Sequence, residues 1–110
     1  MITTHVLDLA HGRPAQAVPI TLAFHDDTGW RAVGHGETDA DGRLRTLTPD
    51  GPLTAGTYRR TFDTAAYFAM HAIAGFYPVV EIQFIVRDGT HHHHVPLLLS
   101  PFGYSTYRGS

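Results

Sequence analysis

The chain has 110 residues, of which 43% are hydrophobic and 16% are charged, and its formal net charge is −2 with nine histidines counted as neutral. This composition predicts one globular domain over residues 1–110, and without a basic excess it argues against nucleic acid or a membrane surface as a partner. Cysteine and lysine are absent, which excludes disulfides, thiolate nucleophiles and Schiff-base catalysis by lysine.

The predicted elements are mostly short strands separated by turns. A β-branched and aliphatic segment predicts a first strand at residues 3–9, and apolar residues with a period of two predict another around residues 20–24. Asp41-Gly42 marks a tight turn, because both residue types tolerate the backbone angles of a reversal. Further strands are expected at 30–38, 43–47, 57–62, 80–86 and 91–99, followed by an extended segment at 104–110.

The one helical segment is rich in alanine and lies at residues 63–75. Asp63 suits the N-cap position and Gly75 the C-terminal end. Seven or eight strands at this spacing, together with one helix, predict an all-β sandwich. The apolar stretches are too short to span a bilayer and no signal peptide is visible, so we expect a cytoplasmic protein.

Four consecutive histidines occupy residues 91–94. In a strand, His92 and His94 would face one side and His91 and His93 the other. A His-x-His pair is one way to hold zinc, copper or nickel, but no third ligand stands at a clear spacing. We therefore favour a solvated strand edge with one or two functional histidines over a native metal site. An expression tag is the least favoured interpretation, because tags lie at chain termini.

Three other residues are weak candidates for a functional role when they are judged by their positions in the predicted strands. His5 shares a strand face with apolar residues, which is more typical of a packed histidine than of a catalyst. Arg43 and Arg45 share a face directly after the turn, and such arginines are usually solvated. The glycine-rich nucleotide motif, the serine-hydrolase elbow and the zinc-helix motif are all absent. These residues by themselves predict a histidine-rich β-sandwich without an assigned role.

The C-terminal residues 94–110, HVPLLLSPFGYSTYRGS, resemble the terminal signature of the 5-hydroxyisourate hydrolases, the transthyretin-related proteins. The closing Tyr-Arg-Gly-Ser is a specific mark of these enzymes and is lacking in hormone-carrying transthyretins. The resemblance extends to residues 4–8, 12–15, 38–43, 56–58 and 76–78. Two positions depart from the pattern: His93 replaces a usual tyrosine, and Phe102 stands where relatives often have tyrosine.

The resemblance implies a transthyretin-like β-sandwich of two four-stranded sheets with one short helix, assembled as a homotetramer with active sites in a channel between dimers. It also implies hydrolytic opening of the six-membered ring of 5-hydroxyisourate to 2-oxo-4-hydroxy-4-carboxy-5-ureidoimidazoline, during degradation of urate to allantoin. Neither a cofactor nor a metal is expected, and the expected partners are the substrate and further copies of the chain.

The family's functional residues map onto six positions of this sequence. The resemblance assigns catalysis to His5, Arg43 and His94, and substrate binding to His5, Arg43, Tyr107, Arg108 and Ser110. Histidine can accept or donate a proton near neutral pH, and the planar arginine fork can stabilise an oxyanion. The terminal carboxylate is expected to orient a histidine or to hold an arginine. The alternatives are a carrier of small aromatic ligands and a histidine-cluster metal-binding module.

Overall fold

The computed structural model describes residues 1–109. In this part of the chain, ten strands and one helix follow one another in this order: β1 Ile2–Asp8, β2 Arg13–Pro14, β3 Pro19–Asp26, β4 Gly29–Glu37, β5 Arg43–Leu44, β6 Gly56–Phe62, α1 Thr64–Met70, β7 Val80–Val86, β8 His93–His94, β9 Leu97–Ser100 and β10 Gly103–Thr106. The predicted all-β fold with one short helix is confirmed.

The strands form two sheets. One runs in the order β10-β9-β1-β2, with β5 and β8 also paired to β1, and the other runs β4-β3-β6-β7. The main path of each sheet has the four predicted strands, and the two-residue strands β5 and β8 enlarge the first sheet to six. The enlargement arises because β1 is long enough to pair with different short strands along its length.

The core lies between the sheets and follows from the alternation of apolar residues. Ile2, Val6 and Leu97 from the first sheet and Leu22 and Phe62 from the second belong to one buried cluster. Full burial of such a side chain stabilises the fold by about 1.5–3 kcal/mol. Because β1 turns these residues inward, His5 and Leu7 lie on its outer, half-buried face.

Three predicted elements have clearly different bounds in the structure. The strand expected at 43–47 is only the two-residue β5, Arg43–Leu44. The expected strand at 91–99 divides into β8 and β9 around Pro96, which has no backbone N–H to donate to a ladder. The helix begins as predicted, with the Asp63 side chain accepting from the Ala66 N–H. It ends at Met70 instead of residue 75, because Ala72 adopts a left-handed backbone with φ of 54°.

Within residues 1–109, no helix has the length and apolar character needed to cross a bilayer.

Candidate active site

Three short stretches of the first sheet bring the predicted catalytic residues together. His5 of β1 stands directly opposite Arg43 of β5, and Thr3 of β1 stands directly opposite His94 of β8. Paired residues on neighbouring strands point to the same face, and so do residues two apart on one strand. His5, Arg43 and His94 therefore share the outer face of the sheet.

A cleft of about 470 Å³ opens on this face. Its walls combine two arginines with two histidines, and the described lining residues include no carboxylate, so the cleft is positively charged. Such a cleft suits an electron-rich or anionic ligand. Its lining residues are Met1, Thr3, Thr4, Arg43, Arg45, His92 and His94.

His94 is half-buried in a cationic environment. Burial is the main cause that lowers the pKa of His94, and the positive charges of Arg43, His92, His5 and Arg60 lower it further. A lowered pKa keeps this imidazole neutral at neutral pH, with a lone pair able to accept a proton. His94 thus has the protonation state that a general base requires.

The C-terminal backbone packs against His94. The Gly109 N–H donates to the His94 carbonyl oxygen at 2.7 Å. A Cβ atom on Gly109 would lie 2.7 Å from Cδ2 of the His94 ring, closer than real contacts allow, so only glycine fits without displacing the ring. This contact explains in structural terms the glycine of the closing Tyr-Arg-Gly-Ser motif.

Tyr107 and Arg108 do not line the same cleft as Arg43 within one chain. Both line a second cleft of about 220 Å³, which also includes His93 and Phe84. Burial is the main cause that lowers the pKa of His93. The hydrogen bond to the His91 backbone raises this pKa, and the positive charge of Arg108 lowers it further. Ser110 lies outside the described residues.

The predicted facing of the histidine run is confirmed. His92 and His94 both reach the Thr3 hydroxyl on the outer face, whereas His93 is buried and lines the second cleft. Residues 1–109 contain no group of three histidine, aspartate or glutamate side chains arranged to hold a metal ion.

Sequence reasoning missed Thr3 and Arg60. Thr3 lies two residues before His5 on the same strand, a spacing that could have placed it on the same face. Arg60 falls between Tyr58 and Phe62 in the alternation of β6, at a position that the pattern marks as inward-facing. It is fully buried, and its guanidinium donates to the carbonyl oxygens of Val95 at 2.9 Å and Thr3 at 3.2 Å.

Comparison with known proteins identifies the family. The model of the HIUase/Transthyretin family matches residues 2–109. The chain belongs to this family. Members of the HIUase/Transthyretin family that resemble it include a probable 5-hydroxyisourate hydrolase of Caenorhabditis elegans, 45% identical over 99% of this chain and 81% of that protein. The 5-hydroxyisourate hydrolase of Mus musculus is 41% identical over 99% of this chain and 94% of its own length.

Solved structures of the HIUase/Transthyretin family confirm the transthyretin-like fold. The 5-hydroxyisourate hydrolase of Klebsiella pneumoniae aligns with a TM-score of 0.87 and 36% identity, covering 99% of this chain and 97% of that one. Sea bream transthyretin, solved in complex with thyroxine, aligns with a TM-score of 0.92 and 34% identity, covering 98% and 93%. Since an enzyme and a hormone-binding protein share this fold, the fold alone does not distinguish the two functions.

Proposed function

We propose that this chain, a single domain over residues 1–110, hydrolyses 5-hydroxyisourate with His5, Arg43 and His94 as its catalytic residues. The activity is that of the relatives named 5-hydroxyisourate hydrolase, which match at 41–45% identity over nearly the whole chain. The observation that supports the residue roles is the shared outer face of β1, β5 and β8, where strand pairing joins an arginine to two histidines beside a positively charged cleft.

The reaction adds water to a carbonyl of the six-membered ring and breaks the adjacent C–N bond. The neutral imidazole of His94 takes a proton from the attacking water, a role that contributes about 10²–10⁴-fold to rate in other enzymes. The guanidinium of Arg43 stabilises the oxyanion that develops on the carbonyl oxygen. A histidine then protonates the leaving nitrogen, and the ring opens to 2-oxo-4-hydroxy-4-carboxy-5-ureidoimidazoline.

The assembled form is proposed to be a homotetramer. Strands β7 and β10 each lie at one edge of their sheet, and among the described residues each pairs with one other strand. Large exposed apolar side chains on or beside them support their burial in an assembly: Phe76, Tyr77, Val79, Ile85 and Tyr104. An active monomer of 12.1 kDa in light scattering would contradict the tetramer.

Substrate binding by Tyr107, Arg108 and Ser110 is proposed as a property of the tetramer, in which subunits share the site. Removing residues 107–110 should abolish most activity, but it also deletes the Gly109 contact to His94. The variants Tyr107→Phe and Arg108→Met keep that backbone contact. A raised KM in these variants, with tetramer and melting temperature retained, supports the substrate role, and unchanged kinetics would remove them from the site.

One assay separates hydrolysis from ligand carriage. Freshly generated 5-hydroxyisourate is mixed with the protein, and the loss of its ultraviolet absorbance is compared with spontaneous decay in buffer. A hydrolase turns over many equivalents, whereas a carrier protects at most one equivalent per site. The proposed cytoplasmic location is tested separately, by fractionating the source cells.

A further inference from the structure

The hydroxyl group of Thr3 lies between two imidazole rings. Its Oγ1 is 2.7 Å from Nε2 of His92 and 2.9 Å from Nδ1 of His94. The ring centroids are 6.3 Å apart, so the buried hydroxyl is what connects the two rings. This contact is not explained by the proposed roles of His5, Arg43 and His94.

A hydroxyl has one proton, which restricts the protonation of both rings. It can donate to only one of the two nitrogens and must accept from the other. When Thr3 donates to His92, His94 carries its proton on Nδ1 and presents a bare Nε2. When Thr3 donates to His94, the proton of that ring stands on Nε2, and His92 donates from its own Nε2. The two arrangements make His94 a base in one case and an acid in the other.

We propose that Thr3 and His92 form a proton relay that lets His94 act first as the base and then as the acid of the reaction. The relay rests on the catalytic role proposed for His94. It makes Thr3 and His92 positioning residues, because they act on the substrate only through that ring.

The protons balance in both directions. His94 Nε2 takes a proton from the attacking water, its Nδ1 proton moves to the Thr3 oxygen, and the Thr3 proton moves to His92 Nε2. His94 is then neutral with a proton on Nε2, and His92 carries the positive charge. When His94 donates its Nε2 proton to the leaving nitrogen, the other two protons return, and both rings regain their starting forms.

The surroundings explain why the charge would move to His92. His94 is half-buried, and the charged or titratable groups that face it are Arg43 on β5, His5 on β1, Arg60 on β6 and His92 itself. His92 is exposed, beside the cleft that also holds Met1, Arg43 and Arg45. Water stabilises an imidazolium on the exposed ring better than on the half-buried one. The relay therefore avoids a full positive charge on His94 next to a buried arginine.

Four variants test the relay. Thr3→Val removes the hydroxyl while keeping the shape, Thr3→Ser keeps a hydroxyl, and His92→Gln keeps polarity but cannot store a proton. His91→Gln is the matched control, because His91 is the exposed neighbour and its Nε2 lies 3.6 Å from a carboxylate oxygen of Asp88. We expect kcat to fall about tenfold to a hundredfold in Thr3→Val and His92→Gln. This loss is smaller than the roughly 10²–10⁴-fold contributed by a group that exchanges a proton with the substrate directly, because Thr3 and His92 act only through His94. Thr3→Ser and His91→Gln should retain near-native kcat.

The decisive readout is the dependence of kcat on the deuterium fraction of the solvent. The wild type should give a curved dependence, since several protons move together, and Thr3→Val should give a linear one. A purely structural role of Thr3 would lower kcat without removing the curvature. Native kcat in Thr3→Val, or equal losses in Thr3→Val and Thr3→Ser, would overturn the relay.

Nitrogen NMR of the imidazoles gives a second readout that does not need turnover. In the wild-type tetramer, protonating His92 should move the His94 proton from Nδ1 to Nε2, and Thr3→Val should abolish this coupling. Independent titration of the two rings in the wild type would refute the relay even if hydrolysis is normal. If the wild type fails to hydrolyse 5-hydroxyisourate, the proposed function fails, while the NMR coupling still decides whether the rings are linked.

Discussion

Replacing Arg60 by methionine tests how a buried cation that pairs with no carboxylate in the described part of the chain contributes to this fold. Arg60 is fully buried, burial lowers its pKa to about 9, and its Nε has no hydrogen-bond partner among residues 1–109. The guanidinium donates to the Val95 and Thr3 carbonyls and lies 5.6 Å from the Phe84 ring centroid. At neutral pH the residue is charged and incompletely satisfied.

The two carbonyls that Arg60 contacts keep other partners after its removal. The Val95 oxygen also accepts from the Thr4 hydroxyl at 2.7 Å, and the Thr3 oxygen accepts from the Val95 N–H at 3.0 Å. Each of the two hydrogen bonds lost from the guanidinium costs about 1.5–3 kcal/mol. The substitution also removes the desolvation penalty of the buried guanidinium, which is on the order of several kcal/mol. The two effects nearly cancel, so we expect Arg60→Met to change the free energy of unfolding by no more than about 2 kcal/mol.

Arg60→Ala should be clearly worse, because it removes the buried stem and leaves a cavity, at a cost of about 2–5 kcal/mol. Chemical denaturation of both variants at equal protein concentration measures the difference. Arg59→Met is the matched control: Arg59 lies next along β6 on the opposite face, 3.8 Å from Glu81 and over the Trp30 ring. The Arg59 side chain is half-buried and its partner Glu81 is exposed, so this screened ion pair should contribute about 1 kcal/mol or less to the free energy of unfolding.

Arg60→Met also has a catalytic consequence with a definite sign. Arg60 is one of the positive charges that lower the pKa of His94, so its removal should raise that pKa. Because the base must be neutral, the acidic limb of kcat/KM against pH should move to higher pH, with no such change in Arg59→Met. Destabilisation of Arg60→Met by as much as Arg60→Ala, or an acidic limb that moves to lower pH, would refute the reasoning.

Three further predictions concern the site itself. His94→Asn should lower kcat by about two orders of magnitude with little change in melting temperature. Near-native turnover would exclude His94 as the base. His35 is exposed, and His35→Asn serves as the control. Gly109→Ala should lower kcat, because the new Cβ would lie 2.7 Å from the His94 ring. Gly103→Ala is the control and should leave kcat unchanged, because its Cβ would approach no atom closer than 3.7 Å. Equal activities of the two variants would show that the position of the His94 ring is unimportant. Activity should survive exhaustive treatment with EDTA, since arginine and histidine supply the chemistry, and a loss restored by one particular metal would favour a metalloenzyme.

The sequence by itself determined those features that depend on neighbouring residues. The alternation at residues 80–86 predicted β7 with its observed bounds, and Asp63 caps the helix as expected. The opposite facing of His92 and His93 also followed from a period of two. These predictions hold because side-chain direction along a strand and capping of a first turn are local properties of the backbone.

Only the tertiary structure decided which distant groups meet. Thr3 contacts His92 and His94 across 89 and 91 residues of sequence, and no local pattern fixes that distance. The same is true of Arg60, whose guanidinium donates to one backbone carbonyl in β1 and to another in the segment between β8 and β9. The course of the C-terminal segment, which brings Gly109 to His94 and leaves Arg108 beside His93, is also set by packing. Strand pairing over long separations is a property of the whole sheet, and it is this pairing that turns separate histidines into one connected site.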